Sequence, residues 1–271
     1  MGSPARGGMT DPLPPPDLPP IEAVVDLARR AGRVVLEIYN SFDGAALRKG
    51  DGSPVTAADH AAEALILPEL RALLPGVPVV AEEECAAKGI PAAARRFWLV
   101  DPVDGTKEFL RRNGEFTVNI GLVSDGVPVL GVVEAPVFDR RFWAAGGQAW
   151  QQRGDAAPQR IGARRPPTDG MVVLTSRSHC DDPRLDAALK DRPVAERRVL
   201  GSSLKIALIA AGEADLYHRF GPTMEWDTAA GDAVLRAAGG RIEDLSGRPL
   251  AYAKPGFANP GFTARGMAAT G

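Results

Sequence analysis

The sequence predicts a layered α/β fold, and three observations carry that prediction. Apolar residues recur with a helical period from Ile21 to Phe42. Three apolar runs between Phe116 and Ala145 read as an antiparallel meander, and helix-like and strand-like segments alternate beyond residue 170. Length and composition agree. The 271 residues, 45% hydrophobic and 24% charged, suit one large globular domain or two interlocked ones.

The same numbers exclude several classes. No apolar run approaches the roughly 18–20 residues that cross a bilayer. Lys+Arg 32 against Asp+Glu 34 leaves a net charge of -2, so no global basic field draws the chain to nucleic acid or anionic lipid. Two cysteines, Cys85 and Cys180, are too few for a disulfide framework and lack zinc-site spacing. No basic run followed by an apolar stretch marks a secretory signal, so the cytoplasm is the expected compartment, with peripheral association at the inner membrane left open.

Residues 1–20 hold seven prolines and three glycines and read as a disordered leader or tag; Met1-Gly2-Ser3 resembles a cloning remnant, and Met9 is an alternative start. The fold is expected to begin near Pro20. Ile21, Val24, Val25, Ala28, Ala31, Val35 and Ile38 then form the apolar stripe of a first helix. Turn residues fill 48–54, and Thr56 is the expected cap of a second helix running to about Leu74. Short buried strands are expected at Pro78 to Ala81, ending in Glu82-Glu83-Glu84, and at Arg96 to Val100, ending in Asp101.

The meander comprises Phe116 to Val123, Pro128 to Val133 and Arg141 to Ala145, with a hairpin turn at Ser124-Asp125-Gly126. Gly154 to Pro167 lacks periodicity and marks a subdomain boundary, dividing an N-terminal α+β unit (21–155) from a C-terminal α/β unit (156–271). In the second unit, strands are expected at Met171 to Thr175, Glu196 to Leu200 and Asp215 to His218. Helices are expected near Pro183 to Lys190, at Ser203 to Ala211, and from Asp227 to Ala238, the last stopped by Gly239-Gly240. No fixed-period repeat is present.

Four segments carry chemistry. Asp101-Pro102-Val103-Asp104-Gly105-Thr106 follows a strand and leads into a helix start, so two carboxylates, a fixed carbonyl and free N–H groups share one short span. Pro102 fixes its own φ and restricts Asp101, holding the acids at i and i+3. Such hard oxygen donors suit Mg²⁺, and the N–H groups of Gly105 and Thr106 would receive a phosphate. One of Glu82, Glu83 and Glu84, at the end of a neighbouring strand, would complete the acids whose crowding a divalent ion relieves. Asp227, in Trp226-Asp227-Thr228-Ala229-Ala230-Gly231, would be a fourth ligand; the small residues after it let that helix end approach another element or a ligand closely. Gly201-Ser202-Ser203-Leu204-Lys205 offers an anion or ribose contact. Each segment alone also reads as ordinary structure: an Asp-Gly turn, a solvated acidic run, or a capped helix start. His60, His179 and His218 are too dispersed for a site, and the scattered arginine pairs form no nucleic-acid stripe.

Taken in order, Val55-Thr56-Ala57-Ala58-Asp59, Ala81-Glu82-Glu83, Trp98 through Thr106, and Trp226 through Gly231 resemble the lithium-sensitive, magnesium-dependent phosphatases of the inositol monophosphatase superfamily. The resemblance runs from about Ile21 to Phe262. Lys107-Glu108-Phe109, Arg112 through Ile120, Gly201 through Lys205, Arg219-Phe220-Gly221-Pro222-Thr223 and Asn259-Pro260-Gly261-Phe262 look like its 3′(2′),5′-bisphosphate nucleotidase branch; the inositol branch usually has Asn-Phe in place of Glu108-Phe109. Ala81, Glu84 and His60 depart from the usual pattern without touching an expected ligand.

The resemblance implies an αβαβα sandwich with its metal site between two subdomains. It implies Mg²⁺, two or three ions with Mn²⁺ as a substitute, held by Glu82, Asp101, Asp104, Asp227 and the Val103 carbonyl. Asp59 and Thr106 would position and deprotonate water, with Glu82 assisting, and Lys49 would help order a further ion. Gly105, Thr106, Lys107, Ser202, Ser203, Lys205 and Asp227 would contact substrate. The implied reaction is hydrolysis of adenosine 3′,5′-bisphosphate to AMP in sulfur assimilation, with 3′-phosphoadenosine 5′-phosphosulfate as a second substrate. An inositol or small sugar-phosphate phosphatase is the alternative, and a non-catalytic metal- and nucleotide-binding module is the rival from another class. A small-molecule nucleotide is the expected partner; monomer and homodimer stay open.

Overall fold

A computed structural model describes residues 18–41, 54–177 and 182–268. The helices are α1 (Ile21–Ser41), α2 (Pro54–Leu73), α3 (Glu82–Lys88), α4 (Thr106–Leu110), α5 (Pro183–Leu189), α6 (Leu204–Ala210) and α7 (Ala229–Ala237). The strands of the first sheet are β1 (Val79–Ala81), β2 (Arg96–Asp104), β3 (Thr117–Ser124), β4 (Val127–Ala135), β5 (Arg140–Ala145), β6 (Gln148–Arg153) and β7 (Gln159–Arg160). They lie in sequence order, β1 parallel to β2 and every later neighbour antiparallel. The remaining strands are β8 (Met171–Thr175), β9 (Val194–Val199), β10 (Leu216–Arg219), β11 (Thr223–Met224), β12 (Arg241–Asp244), β13 (Ala258–Asn259) and β14 (Phe262–Arg265). A second sheet has the order β12-β14-β10-β8-β9, in which β10, β8 and β9 are parallel, and β11 pairs with β13.

Three apolar clusters occupy the spaces between five layers. Side chains alternate across β2, so Trp98 and Val100 face α1 and α2, whereas Phe97 and Leu99 face the opposite side. The first cluster joins Val24, Leu27, Ala31 and Val35 of α1 and Ala62, Ile66 and Leu70 of α2 to that outer face. The second places Ile206 and Ile209 of α6 and Val234 and Leu235 of α7 between the inner face and Leu174, Tyr217, Ile242 and Phe262 of the second sheet. The third covers the far face of that sheet with Leu185 and Leu189 of α5. Helix, sheet, helix, sheet, helix is the αβαβα sandwich. Full burial of such aliphatic side chains contributes about 1.5–3 kcal/mol each.

Most expected elements are present, with revised limits. Pro19 is buried and Leu18 packs on the first cluster, so the fold begins slightly before Pro20. Helix α2 starts at Pro54, ahead of the expected cap Thr56, because proline is tolerated where helical N–H groups have no partner. Glu82-Glu83-Glu84 opens a helix, where acids favour the positive end of the dipole. Strands β6, β7 and β11 to β14 have no counterpart in the sequence pattern: they are short or polar, and their alternation is too brief to register. Lys49, His179 and Cys180 lie outside the described residues.

A pair of glycines sets the distance between layers. Gly121 of β3 and Gly131 of β4 are cross-strand partners. A Cβ on Gly131 would stand 2.4 Å from the Ala230 carbonyl oxygen, and one on Gly121 would stand 3.0 Å from the Ala230 nitrogen. The small first turn of α7 therefore approaches a sheet, not a ligand, and this contact places Asp227 just ahead of it.

Candidate active site

Both sheets turn the carboxyl ends of parallel strands toward one cleft of about 390 Å³. Strand β1 delivers Glu82, β2 delivers Asp101 and Asp104, β8 leads to Ser176, and β10 ends at Arg219. Between Asp101, paired with Asn119, and Asp104, paired with Thr117, three steps on β2 match two on β3. The surplus residue makes a bulge at Pro102-Val103, where proline has no N–H to give the ladder. The Val103 N–H folds back on Asp101 Oδ1 at 3.1 Å.

The next residue turns the chain. Gly105 has φ +105° and caps α4, and a Cβ there would meet the Glu115 carbonyl oxygen at 3.1 Å and Phe116 Cα at 3.2 Å. Neither the backbone angle nor the space admits another residue. Phe109 and Phe116 pack around Tyr39, with ring centroids 5.1 and 4.9 Å from it, and fix α4 beneath the end of α1. Gly105, Thr106 and Lys107 all line the cleft.

Burial and mutual repulsion dominate the acids. Asp101 is held well above the usual carboxylate range, by burial first and then by Glu82, Asp104, Asp227 and Asp59. Asp227 is pushed up to about 8 by burial and by Asp104, although its Oδ2 accepts the Met224 N–H at 2.8 Å. Asp104 is raised by burial, against the pull of Lys205 and the Ser203 N–H. Lys205 is itself lowered to about 8 by burial. Such a set is stable in ionised form only beside added positive charge.

The donor chemistry therefore fits a hard divalent cation: carboxylates, a bulge carbonyl and no soft ligand. Among the described residues, no three acidic, His or Cys side chains are already drawn into a closed ligand group. They line the cleft instead, with Asp101, Asp104 and Asp227 each engaged by a backbone N–H.

Of the residues singled out in the sequence, Glu82, Asp101, Val103, Asp104, Gly105, Thr106, Lys107, Ser202, Ser203, Lys205 and Asp227 meet at this cleft. Asp59 is not among its lining residues; it is buried on α2, near enough for its charge to raise Asp101. Two of the expected substrate contacts, while lining the cleft, also make internal bonds. The Ser203 hydroxyl bonds Asn119 Oδ1 at 2.7 Å and Thr117 Oγ1 at 2.9 Å, bracing α6 against β3. The Lys205 ammonium donates to the carbonyls of Ser202, at 2.7 Å, and Leu200, at 3.1 Å.

Sequence reasoning assigned no role to Glu108, Ser176, Tyr217 or Arg219, which also line the cleft. Arg219 donates to the carbonyls of Gly221 and Pro222 and to Ser176 Oγ, and among the described residues no carboxylate pairs with it. The sequence carries a signal in Arg219-Phe220-Gly221-Pro222-Thr223, one of the segments that resemble the nucleotidase branch, but the nearness of Arg219 to the acids follows only once β10 is known to lie beside β8.

The layering and the acid-lined cleft between the sheets define the architecture of the inositol monophosphatase-type phosphatases. The chain belongs to the inositol monophosphatase family, whose model matches residues 18–269. Divalent metal, typically Mg²⁺, is that family's cofactor. The 3′(2′),5′-bisphosphate nucleotidase CysQ of Salmonella typhimurium is 48% identical over 248 residues, spanning 88% of this chain and 98% of that protein. Its namesake from Escherichia coli K12 is 46% identical over 245 residues, with the same two shares. The crystal structure of CysQ from Bacteroides thetaiotaomicron superposes with a TM-score of 0.78 at 36% identity, covering 91% of this chain and 96% of that one. An inositol monophosphatase of Thermotoga maritima reaches 0.72 at 26%, covering 90% and 91%.

Proposed function

We propose that this protein is a Mg²⁺-dependent phosphomonoesterase that removes the 3′-phosphate of adenosine 3′,5′-bisphosphate to give AMP and phosphate, with 3′-phosphoadenosine 5′-phosphosulfate as a second substrate. It rests on the activity for which the curated relatives are named and on one observation. The cleft that gathers Glu82, Asp101, Asp104 and Asp227 beside the start of α4 also holds Arg219, a guanidinium that makes no salt bridge among the described residues and whose charge reaches Asp227. A substrate with two phosphate groups uses both regions: one phosphate at the acids and α4, the other at Arg219.

In this reading Glu82, Asp101, Asp104, Asp227 and the Val103 carbonyl hold two or three Mg²⁺ ions, with Mn²⁺ as a substitute. Held there, divalent cations would supply an activated water and positive charge for the attacking and leaving oxygens. Asp59 with Thr106 orients that water and takes its proton, assisted by Glu82. The N–H groups of Gly105 and Thr106 hold the phosphate, while Lys107 and Ser202 meet its oxygens. Lys205 acts through the carbonyls it grips and as the counter-charge to Asp104. The enzyme works in the cytoplasm on a small nucleotide; among the described residues, no helix is long and apolar enough to cross a membrane.

Phosphate release from adenosine 3′,5′-bisphosphate, inositol 1-phosphate and fructose 1,6-bisphosphate, each with Mg²⁺ and with chelator, tests the assignment. Preference for the nucleotide, abolished by chelator, is expected. Faster release from either sugar phosphate overturns the substrate, and no release from any overturns the reaction. Asp59→Asn is expected to remove turnover while leaving Mg²⁺ binding in place, which a binding module with no chemistry would not show.

A further inference from the structure

We propose that Glu63 is a positioning residue for Glu82, acting through the backbone of α3; this rests on the reading of Glu82 as a metal ligand. Helix α3 starts at Glu82 directly after β1 and is seven residues long, and its cap position, Ala81, offers no side-chain acceptor. A helix so short is not stable in water alone, and its first N–H groups need acceptors from elsewhere. The acceptor comes from α2: the Glu63 carboxylate, 7% exposed, takes the Glu83 N–H at 3.1 Å.

Charge does not explain this placement. Glu82, Glu83 and Glu84 already crowd that helix end, and burial together with the charges of Glu83 and Glu84 works against ionised Glu63. The N–H groups of Glu83 and Glu84 favour it. What the buried Glu63 carboxyl supplies at this helix end is an acceptor for the Glu83 N–H. Two turns further along α2, Arg71 meets Glu84 at 2.9 Å, but that contact is half exposed and weak. One turn before Glu63, Asp59 is also buried. A single face of α2 thus carries the proposed water-activating acid and the cap of the helix that begins with Glu82.

Calorimetric titration of Mg²⁺ into the metal-free full-length protein, with thermal melting alongside, is the test. Glu63→Ala should weaken Mg²⁺ binding by about 3- to 30-fold, the range for losing a helix cap, and the activity lost at limiting Mg²⁺ should return as Mg²⁺ is raised. Glu63→Gln keeps an acceptor oxygen and should bind within about twofold of the parent. Glu63→Leu, which fills the space without an acceptor, replaces the alanine variant if that fails to fold. Leu70→Ala, in the core of the same helix, should lower Tm and spare Mg²⁺ affinity. Unchanged affinity in Glu63→Ala, or an equal change in Leu70→Ala, overturns the positioning role. Glu82→Gln separates the two readings: if it leaves Mg²⁺ binding intact, the ligand assignment itself fails and the role of Glu63 with it.

Discussion

The backbone amide of Ser203 donates to Oδ2 of Asp104 at 2.5 Å, joining the start of α6 to the end of β2 across 99 residues of sequence. With the Ser203 hydroxyl on Asn119 and Thr117, this brace holds the two sides of the cleft at one separation. Ser203→Ala keeps the amide bond and loses the hydroxyl bonds in a buried place, a cost of about 1–3 kcal/mol. Tm should fall while KM for the nucleotide stays near that of the parent. A many-fold rise in KM at unchanged Tm would instead make Ser203 a direct substrate contact.

Gly131→Ala should be costly for a different reason. Its Cβ would meet the Ala230 carbonyl oxygen at 2.4 Å and Ala230 Cα at 2.9 Å, and backbone atoms cannot move aside as a flexible side chain does. Overpacking of this kind costs about 1–3 kcal/mol. Because α7 follows Asp227, Mg²⁺ affinity should fall together with Tm. Melting and Mg²⁺ titration of the variant check both, and an unaltered Tm refutes the contact.

The acids predict a pH dependence whose sign depends on the metal. Burial and Asp104 raise Asp227 from the usual carboxylate range to about 8, so the folded protein binds that proton more tightly than the unfolded chain. Stability is complete below the unfolded value, near 4, and drains away as pH rises toward 8, by up to about 1.4 kcal/mol per pH unit for such a group. Metal-free protein should therefore melt lower at about pH 8 than at about pH 6. Saturating Mg²⁺ favours the ionised acids, so its stabilising shift should grow over the same window. An equal Mg²⁺ shift at both pH values would show that these acids do not bind the ion.

Arg219→Ala should separate substrates. Loss of a charged hydrogen-bonding group costs about 1.5–3 kcal/mol, or roughly 10- to 100-fold in kcat/KM for adenosine 3′,5′-bisphosphate. Inositol 1-phosphate has one phosphate and should be turned over much as before. Equal losses on both substrates would place Arg219 in a general structural role.

The layered class, the first two helices and the meander are legible in the amino-acid sequence because each is a local pattern, whereas the acids, spread from Glu82 to Asp227, stand out only through their order along the chain and the family resemblance. An apolar stripe at helical spacing and an alternation long enough to register declare themselves within a dozen residues, whereas Asp101-Pro102-Val103-Asp104 alone also fits an ordinary turn. The short strands β11 to β14 stayed hidden, since their stability comes from partners distant in sequence. That the small residues after Asp227 rest on Gly121 and Gly131, and that Ser203 and Lys205 make internal bonds, follows from the packing of the layers and from no local pattern. That packing alone brought Arg219 and Ser176 to the acids. The reason is physical: what a polar side chain does depends on which acceptors, charges and walls surround it once water is excluded, and those come from other strands and helices.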